Sequence, residues 1–124
     1  DVVVRDFVIN HFRPPIKPKN FDTFLPLGPF LVDKAAVPDP QALGIRTLVN
    51  GEERQQGSTA NMMRSVAELI EYITEFMTLR ENDVLLTGTP KGISHLRPGD
   101  VVSCQVEGVG ELVNQVVAEE DLAG

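Results

Sequence analysis

The sequence has one cysteine, Cys104, among 124 residues, so an internal disulfide and a metal cage of cysteines are both excluded. So little cysteine is typical of a reducing compartment, and we expect a cytoplasmic protein. The 11 Lys and Arg residues are outnumbered by 18 Asp and Glu, for a formal net charge of −7, and they form no cluster. Because such a chain repels phosphate backbones and anionic lipid, we expect no nucleic acid and no membrane among its partners.

Long apolar runs are also missing, since none approaches the roughly 20 residues that a bilayer span requires. What is present is the composition of an ordinary globular domain, 42% hydrophobic and 23% charged, at a length that suits one domain. The sequence opens at Asp1 on what reads as the end of a strand. We therefore expect residues 1–124 to be part of a longer protein.

One helix is predicted clearly. Ser65 and Glu68 have the spacing of a capping box, in which each side chain binds the other residue's backbone amide. Apolar residues then recur at helical spacing, at Val66, Leu69, Ile70, Ile73, Phe76 and Met77. The pattern predicts one main amphipathic helix over about residues 65–78, and we expect it to pack across a sheet.

Short strands outnumber helices, which indicates a β-rich α+β fold. The predicted strands are residues 30–32, 45–49, 84–86, 101–107 and 112–117, with residues 52–56 as a polar return. Asn50-Gly51 predicts a type I′ hairpin between the second strand and this return, because both positions favour a positive φ. Cys104 alternates with Val102 and Val106, so we expect it to be a small buried hydrophobe.

The first 29 residues contain less regular patterns. Residues 6–12 are compatible with a short helix, and the prolines that follow predict a long loop over residues 13–29. Its apolar side chains, among them Phe21 and Phe24, favour order. His11 and His95 have no partner at metal-ligand spacing, so we expect surface or structural histidines.

Two groups of residues could carry chemistry. Thr87-Gly88-Thr89-Pro90 follows an apolar run and offers hydroxyls and backbone amides that suit a carboxylate, although an ordinary turn explains it equally well. The second group mixes acids and bases that are either scattered solvated charges or partial ligands of a hard cation such as Mg²⁺. It comprises Asp1, Arg5, Asp6, Lys17, Lys19, Asp22 and Thr23.

These positions lie in stretches that resemble motifs of the fumarylacetoacetate hydrolase family, and the stretches follow one another in the same order as in the family. The matching stretches are residues 1–6, 19–23, 27–30, 38–40, 49–51, 65–70, 76–79, 86–90 and 97–100. Residues 12–17 resemble a narrower group, the bifunctional isomerase/decarboxylases of 4-hydroxyphenylacetate (homoprotocatechuate) degradation. The resemblance implies wrapped mixed β-sheets, a homodimer, and a divalent metal, Mg²⁺ or Mn²⁺. It also implies that residues 1–124 form the C-terminal portion of one catalytic domain.

The same resemblance implies roles for six residues. It assigns Asp1 to the metal and Thr23 to its neighbourhood, Arg5 and Lys19 to catalysis, and Gly88 and Thr89 to substrate binding. A bound cation would chelate a 2-oxo acid and stabilise its enolate, with Lys19 adding positive charge.

Departures from the family pattern direct the choice of reaction. The Glu-x-Glu pair that supplies the family's other metal ligands is absent, and Val8 stands where many members have a substrate-contacting glutamine. The second departure weakens a hydrolase assignment. Together with the resemblance of residues 12–17, this favours a decarboxylase/isomerase of a carboxylated 2-oxo or 2-hydroxymuconate-type acid in aromatic catabolism. The alternatives are a C–C hydrolase of an acylpyruvate or fumarylacetoacetate-like substrate, and a non-catalytic half that serves as a packing partner. We expect the isolated chain to bind Mg²⁺ weakly and to be inactive.

Overall fold

The structure, a computed structural model, describes residues 3–4 and 16–122. It divides into two compact units, Asp1–Leu31 and Val32–Gly124, and each is described by itself. The predicted helix over residues 6–12, with His11, lies outside the described residues.

The first unit contains a short helix, α1 (Ile16–Lys19), where the sequence predicted only loop. Pro18 is accommodated because the first turn of a helix needs no donor from its backbone, and it is buried. Its carbonyl oxygen accepts from the Val4 N–H at 2.9 Å. The Phe21 and Phe24 rings lie 5.3 Å apart, which confirms the expected order in this segment.

The second unit is built on a four-stranded antiparallel sheet. Its strands are β1 (Gly44–Val49), β2 (Glu52–Ser58), β3 (Val101–Val106) and β4 (Gly110–Gln115), in the order β2-β1-β3-β4. Asn50 and Gly51 connect β1 to β2 with φ angles of 52° and 82°. Two positive φ angles are the signature of a type I′ turn, so the predicted hairpin is confirmed.

The two faces of the sheet differ in chemistry. Thr47 pairs with Cys104, and Val49 with Val102, on one face. On the other face Arg46, Gln105 and Glu111 form a row across three strands, joined by hydrogen bonds of 2.8 and 3.1 Å. The predicted alternation in β3 is therefore confirmed.

The main helix is α2 (Val66–Thr74), and its capping box is present as predicted. The Ser65 hydroxyl accepts from the Glu68 N–H at 3.2 Å, and the Glu68 carboxylate accepts from the Ser65 N–H at 2.6 Å. The helix ends four residues earlier than expected. Beyond it, the Met77 N–H still donates to the Ile73 carbonyl oxygen at 2.9 Å.

The prediction that this helix packs across the sheet is wrong for the described residues. α2 makes no extensive contact with any strand, and none of its side chains is buried. One link to the rest of the unit is polar, because Gln41 accepts from the Val66 N–H at 2.6 Å and donates to the Thr59 carbonyl oxygen at 3.1 Å. Val49 is the one buried hydrophobic residue among the described residues of this unit. The expected burial of Cys104 is also wrong, since it is exposed.

Two of the predicted strands are absent from the described residues. Residues 30–32 and 84–86 form no strand, because each is a three-residue apolar run with no described strand pairing beside it. Leu31 is 98% exposed as a result.

The α+β class is nonetheless confirmed. At nine residues, α2 is too short to cross a membrane, and no other described helix is long and apolar enough to do so.

Candidate functional site

The six site residues predicted from the sequence are distributed over both units. Asp1 and Arg5 lie outside the described residues. Lys19 and Thr23 belong to the first unit, whereas Gly88 and Thr89 belong to the second. The geometry of the two pairs is therefore given separately.

Lys19 and Thr23 lie on either side of the turn that leaves α1. Lys19 is the last residue of the helix and is half-buried, and the next residue, Asn20, donates its N–H to the Lys17 carbonyl oxygen at 3.3 Å. Thr23 is exposed and has a φ of 68°. A β-branched residue in the left-handed region is strained by about 1–3 kcal/mol, and such strain is concentrated at functional sites. Thr23 is thus held in a conformation that its own side chain disfavours.

Gly88 and Thr89 lie in an exposed turn, which we call the Gly-Thr turn and define as residues 87–92. Gly88 has a φ of 96°, and a Cβ placed on it would meet nothing within 4 Å. Glycine is therefore required there by the backbone angle and not by crowding. The hydroxyls of Thr87 and Thr89 both belong to exposed residues, as a site for a soluble anion requires.

Strand β2 holds the Gly-Thr turn in place. The Gln55 side-chain amide donates from Nε2 to the Thr89 hydroxyl oxygen at 3.2 Å and to the Pro90 carbonyl oxygen at 2.8 Å. A Cβ on Gly57 would lie 2.8 Å from the Pro90 ring, and one on Gly92 would lie 2.5 Å from the Arg54 carbonyl oxygen. The turn therefore approaches β2 as closely as two residues without side chains allow.

A β-bulge decides which way Gln55 points. Thr47 pairs with Gln55 while Leu48 pairs with Glu53, so Arg54 is an extra residue on β2. Continued without the bulge, the hairpin would place Gln55 opposite Arg46, on the other face of the sheet. The bulge thus brings the Gln55 amide to the face that meets the Gly-Thr turn.

Gln55, Gly57 and Gly92 were not recognised from the sequence. One readable signal was available, because a glycine inside a strand indicates that another backbone approaches closely. The bulge has no comparable signal, and without it the direction of Gln55 could not be derived.

Three described carboxyl groups have a lowered pKa, and all three stabilise structure. The pKa of Glu68 is lowered chiefly by the Ser65 backbone N–H, as the cap of α2. The pKa of Asp100 is lowered by the Arg97 backbone N–H and then by the Asn50 side chain. The pKa of Glu111 is lowered by hydrogen bonds from Ser103 and Gln105 within the sheet. These shifts therefore mark caps and cross-strand contacts, not a catalytic acid or base.

A metal site is not formed by the part of the chain that the structure describes. No group of three or more His, Cys, Asp or Glu side chains within those ranges could hold an ion. The described residues thus do not fit a divalent cation by themselves. A shallow depression of about 360 Å³ at one end of the sheet, beside Arg46, Gln105 and Glu107, contains none of the six predicted residues.

Comparisons with known proteins relate this chain to a family of enzymes. The family profile described as "Fumarylacetoacetate (FAA) hydrolase C-terminal" matches residues 1–117. The 4-hydroxyphenylacetate degradation bifunctional isomerase/decarboxylase of Salmonella dublin is 51% identical over 97% of this chain. The chain spans only 28% of the length of that relative.

Solved structures agree in fold. The 5-carboxymethyl-2-hydroxymuconate delta-isomerase of Mycobacterium smegmatis is 42% identical, with a TM-score of 0.79 over 84% of this chain and 40% of its own. The maleylpyruvate hydrolase of Sphingobium sp. SYK-6, in complex with a manganese(II) ion and pyruvate, is 33% identical, with a TM-score of 0.81 over 85% of this chain and 40% of its own.

Proposed function

The chain belongs to the fumarylacetoacetate hydrolase family, and from this premise we propose that it is part of a decarboxylase/isomerase. The substrate class is a carboxylated 2-oxo or 2-hydroxymuconate-type acid of 4-hydroxyphenylacetate catabolism. The observation that carries the proposal is the 51% identity, over 97% of the chain, with an isomerase/decarboxylase of that degradation route.

In the second unit, we propose that the Gly-Thr turn binds a carboxylate of the substrate. The Thr89 hydroxyl donates to the carboxylate, and both Gly88 and Thr89 are exposed to solvent. The support is geometric, because the turn is exposed and yet tied to a strand at Gln55. An exposed turn without such an anchor would lose more entropy when it bound a ligand.

In the first unit, we propose that Lys19 is a catalytic residue, with Arg5 as a second one outside the described residues. A lysine ammonium stabilises negative charge that develops on a substrate oxygen. Its half-buried position strengthens this interaction, since less water screens the charge.

We further propose that the complete protein uses Mg²⁺ or Mn²⁺. The support is the manganese ion bound in maleylpyruvate hydrolase. Asp1 would ligate the ion and Thr23 would lie near it, and the described residues form no group of three or more ligands by themselves. When bound, such an ion supplies positive charge for an enolate.

The test is an assay of the gene product that carries this chain. It is supplied with Mg²⁺ and, in separate reactions, with a 2-hydroxymuconate-type acid and with an acylpyruvate. Release of CO₂, pyruvate and fumarate and loss of the conjugated chromophore are followed in each. CO₂ release supports the proposal. Release of pyruvate or fumarate without CO₂ rejects it in favour of C–C hydrolysis of an acylpyruvate. That second function is supported by the 33% identity with maleylpyruvate hydrolase over 85% of this chain.

A third reading is a non-catalytic half that packs against an active one. The retained Lys19 and Thr89, together with the anchored Gly-Thr turn, favour an active protein over this reading. A coding sequence without a Glu-x-Glu pair upstream of Asp1 would favour the non-catalytic half.

We also propose a homodimer in the cytoplasm. The exposed apolar side chains of the α2 region, such as Ile70 and Phe76 at 45% and 65% exposure, support an assembly that covers them. Sedimentation of the complete protein as a monomer at micromolar concentration would reject the dimer.

A further inference from the structure

The Gln55 side chain lies between strand β2 and the residue that we propose as the carboxylate ligand. We propose that Gln55 is a positioning residue, whose amide fixes the direction in which the Thr89 hydroxyl donates and thereby sets the affinity for the substrate carboxylate. The inference rests on the proposed function of the Gly-Thr turn and goes beyond it.

The donors and acceptors of Gln55, Thr89 and Pro90 allow one arrangement of hydrogen bonds. The Pro90 carbonyl oxygen can only accept, so the atom of Gln55 at 2.8 Å from it must be the amide nitrogen. That nitrogen carries two protons, and the second is available to the Thr89 hydroxyl oxygen at 3.2 Å. Because the hydroxyl oxygen accepts from Gln55, its own proton points elsewhere and can be donated to an anion.

The surroundings hold this arrangement in place. Gln55 is half-buried, whereas Thr89 is exposed. The close approaches at Gly57 and Gly92 fix the distance between β2 and the Gly-Thr turn. The bulge at Arg54 turns Gln55 towards it. The Gln55 amide, the Thr89 hydroxyl and the Pro90 carbonyl are therefore in position before a ligand binds. This reduces the conformational entropy that is lost on binding.

The first test is Gln55→Leu in the complete gene product. The variant keeps the volume of the side chain and removes both donated bonds. We expect KM to rise about five- to tenfold, the loss typical of one neutral hydrogen bond, with kcat within about twofold of the parent. Gln55→Glu should raise KM further, because a carboxylate repels the Pro90 carbonyl oxygen and takes the Thr89 hydroxyl proton for itself.

Gln56 offers a matched control. It is the next residue of the same strand, pairs with Arg46, and therefore faces the other side of the sheet. Gln56→Leu and Gln56→Glu make the same chemical changes about 3 Å along the strand. We expect both to leave KM within about twofold of the parent.

A double-mutant cycle separates positioning from general destabilisation. If Gln55 acts through the hydroxyl, Gln55→Leu should have little further effect on KM in a Thr89→Val background, which lacks that hydroxyl. It should keep its full effect in Thr89→Ser, which retains it. A structural role would instead lower the thermal midpoint and give the same change in KM in every background.

The outcomes distinguish this inference from the proposed function. If Thr89→Val raises KM while Gln55→Leu does not, or if their effects are additive, the inference fails and the carboxylate site stands. If Thr89→Val leaves KM unchanged, the carboxylate site fails and the inference with it. If the parent shows no turnover, pyruvate is titrated calorimetrically. Binding that Gln55→Leu weakens five- to tenfold and Gln56→Leu does not would support the inference, and any other result would overturn it.

Discussion

The Asn50 side chain makes two hydrogen bonds in addition to the turn conformation of its backbone. Its Oδ1 accepts from the Val101 N–H at 2.9 Å, and its Nδ2 donates to the Asp100 carboxylate at 2.8 Å. These bonds connect the β1–β2 turn to the start of β3, 50 positions along the chain. We predict that Asn50→Gly destabilises the fold even though glycine accepts the φ of 52° without strain.

The expected magnitude comes from two contributions. Losing the bond to the Val101 N–H lowers the free energy of unfolding by about 1 kcal/mol, and the exposed Asp100 contact adds to the loss in the same direction. Glycine also gives the unfolded chain more freedom, which costs a further ~0.4–1 kcal/mol. Asn50→Ala should be worse still, because alanine loses the same bonds and keeps a Cβ in the left-handed region, without the local side-chain hydrogen bonding that lets asparagine adopt it.

Asn82 supplies the control for the glycine contribution. It has a φ of 71°, and its side chain makes no hydrogen bond to any residue that the structure describes. Asn82→Gly therefore changes the backbone freedom and removes no such contact. Urea unfolding followed by circular dichroism should show Asn50→Gly to be less stable than Asn82→Gly by about 1 kcal/mol, or about 4–8 °C in Tm. Equal stability of the two variants would refute the reasoning.

Three further predictions concern the cap, the acid limb and the metal. Ser65→Ala should destabilise α2 by about 1 kcal/mol and reduce far-UV ellipticity, because no extensive sheet contact supports the helix. Thr74→Ala at the other end should not reduce it, and an equal loss in both variants would contradict the capping argument. The folded state lowers the pKa of Glu68, Asp100 and Glu111 below their usual values of 4.5, 3.8 and 4.5. These carboxylates therefore stabilise the fold at pH values above the usual pKa. The stabilisation is lost as the pH falls through the lowered pKa of the folded state. The urea midpoint should therefore hold between pH 7 and about 5 and fall below it, less steeply in Glu111→Gln; a midpoint that is flat down to pH 3 would reject this. Calorimetric titration of the 124-residue chain with Mg²⁺ should give no saturable heat, because the described residues hold no ligand cluster, and tight binding would contradict that.

The features that the sequence predicted correctly are set by neighbours in the chain. The Asn50-Gly51 turn and the Ser65 capping box need only a few residues, and each is present. Residues 79–83 (Leu-Arg-Glu-Asn-Asp) and 96–100 (Leu-Arg-Pro-Gly-Asp) are similar in sequence, and their two turns share one local geometry. Asp83 and Asp100 each accept from the backbone N–H three residues earlier at 2.7 Å, and Asn82 and Gly99 share a positive φ.

The support of the candidate site could not be predicted in the same way. Thr89 was found from its own motif, but the residue that holds it lies 34 positions away. The link depends on one extra residue in β2, because a strand without the bulge directs Gln55 to the opposite face. No property of Arg54 as a residue type distinguishes a bulge from an ordinary strand position.

The errors about α2 and Cys104 have a common cause. Helical spacing correctly identified which side chains of residues 66–74 share a face, and alternation correctly identified the face of Cys104. Both predictions then assumed that a shared apolar face is covered by the nearest element of the other type. The position of α2 depends instead on the path of residues 59–65 and on the Gln41 contacts, which leave the helix away from the strands. Periodicity in the sequence indicates which side chains lie on the same face of an element. Burial of that face depends on whether another element packs against it, and the periodicity carries no information about that element.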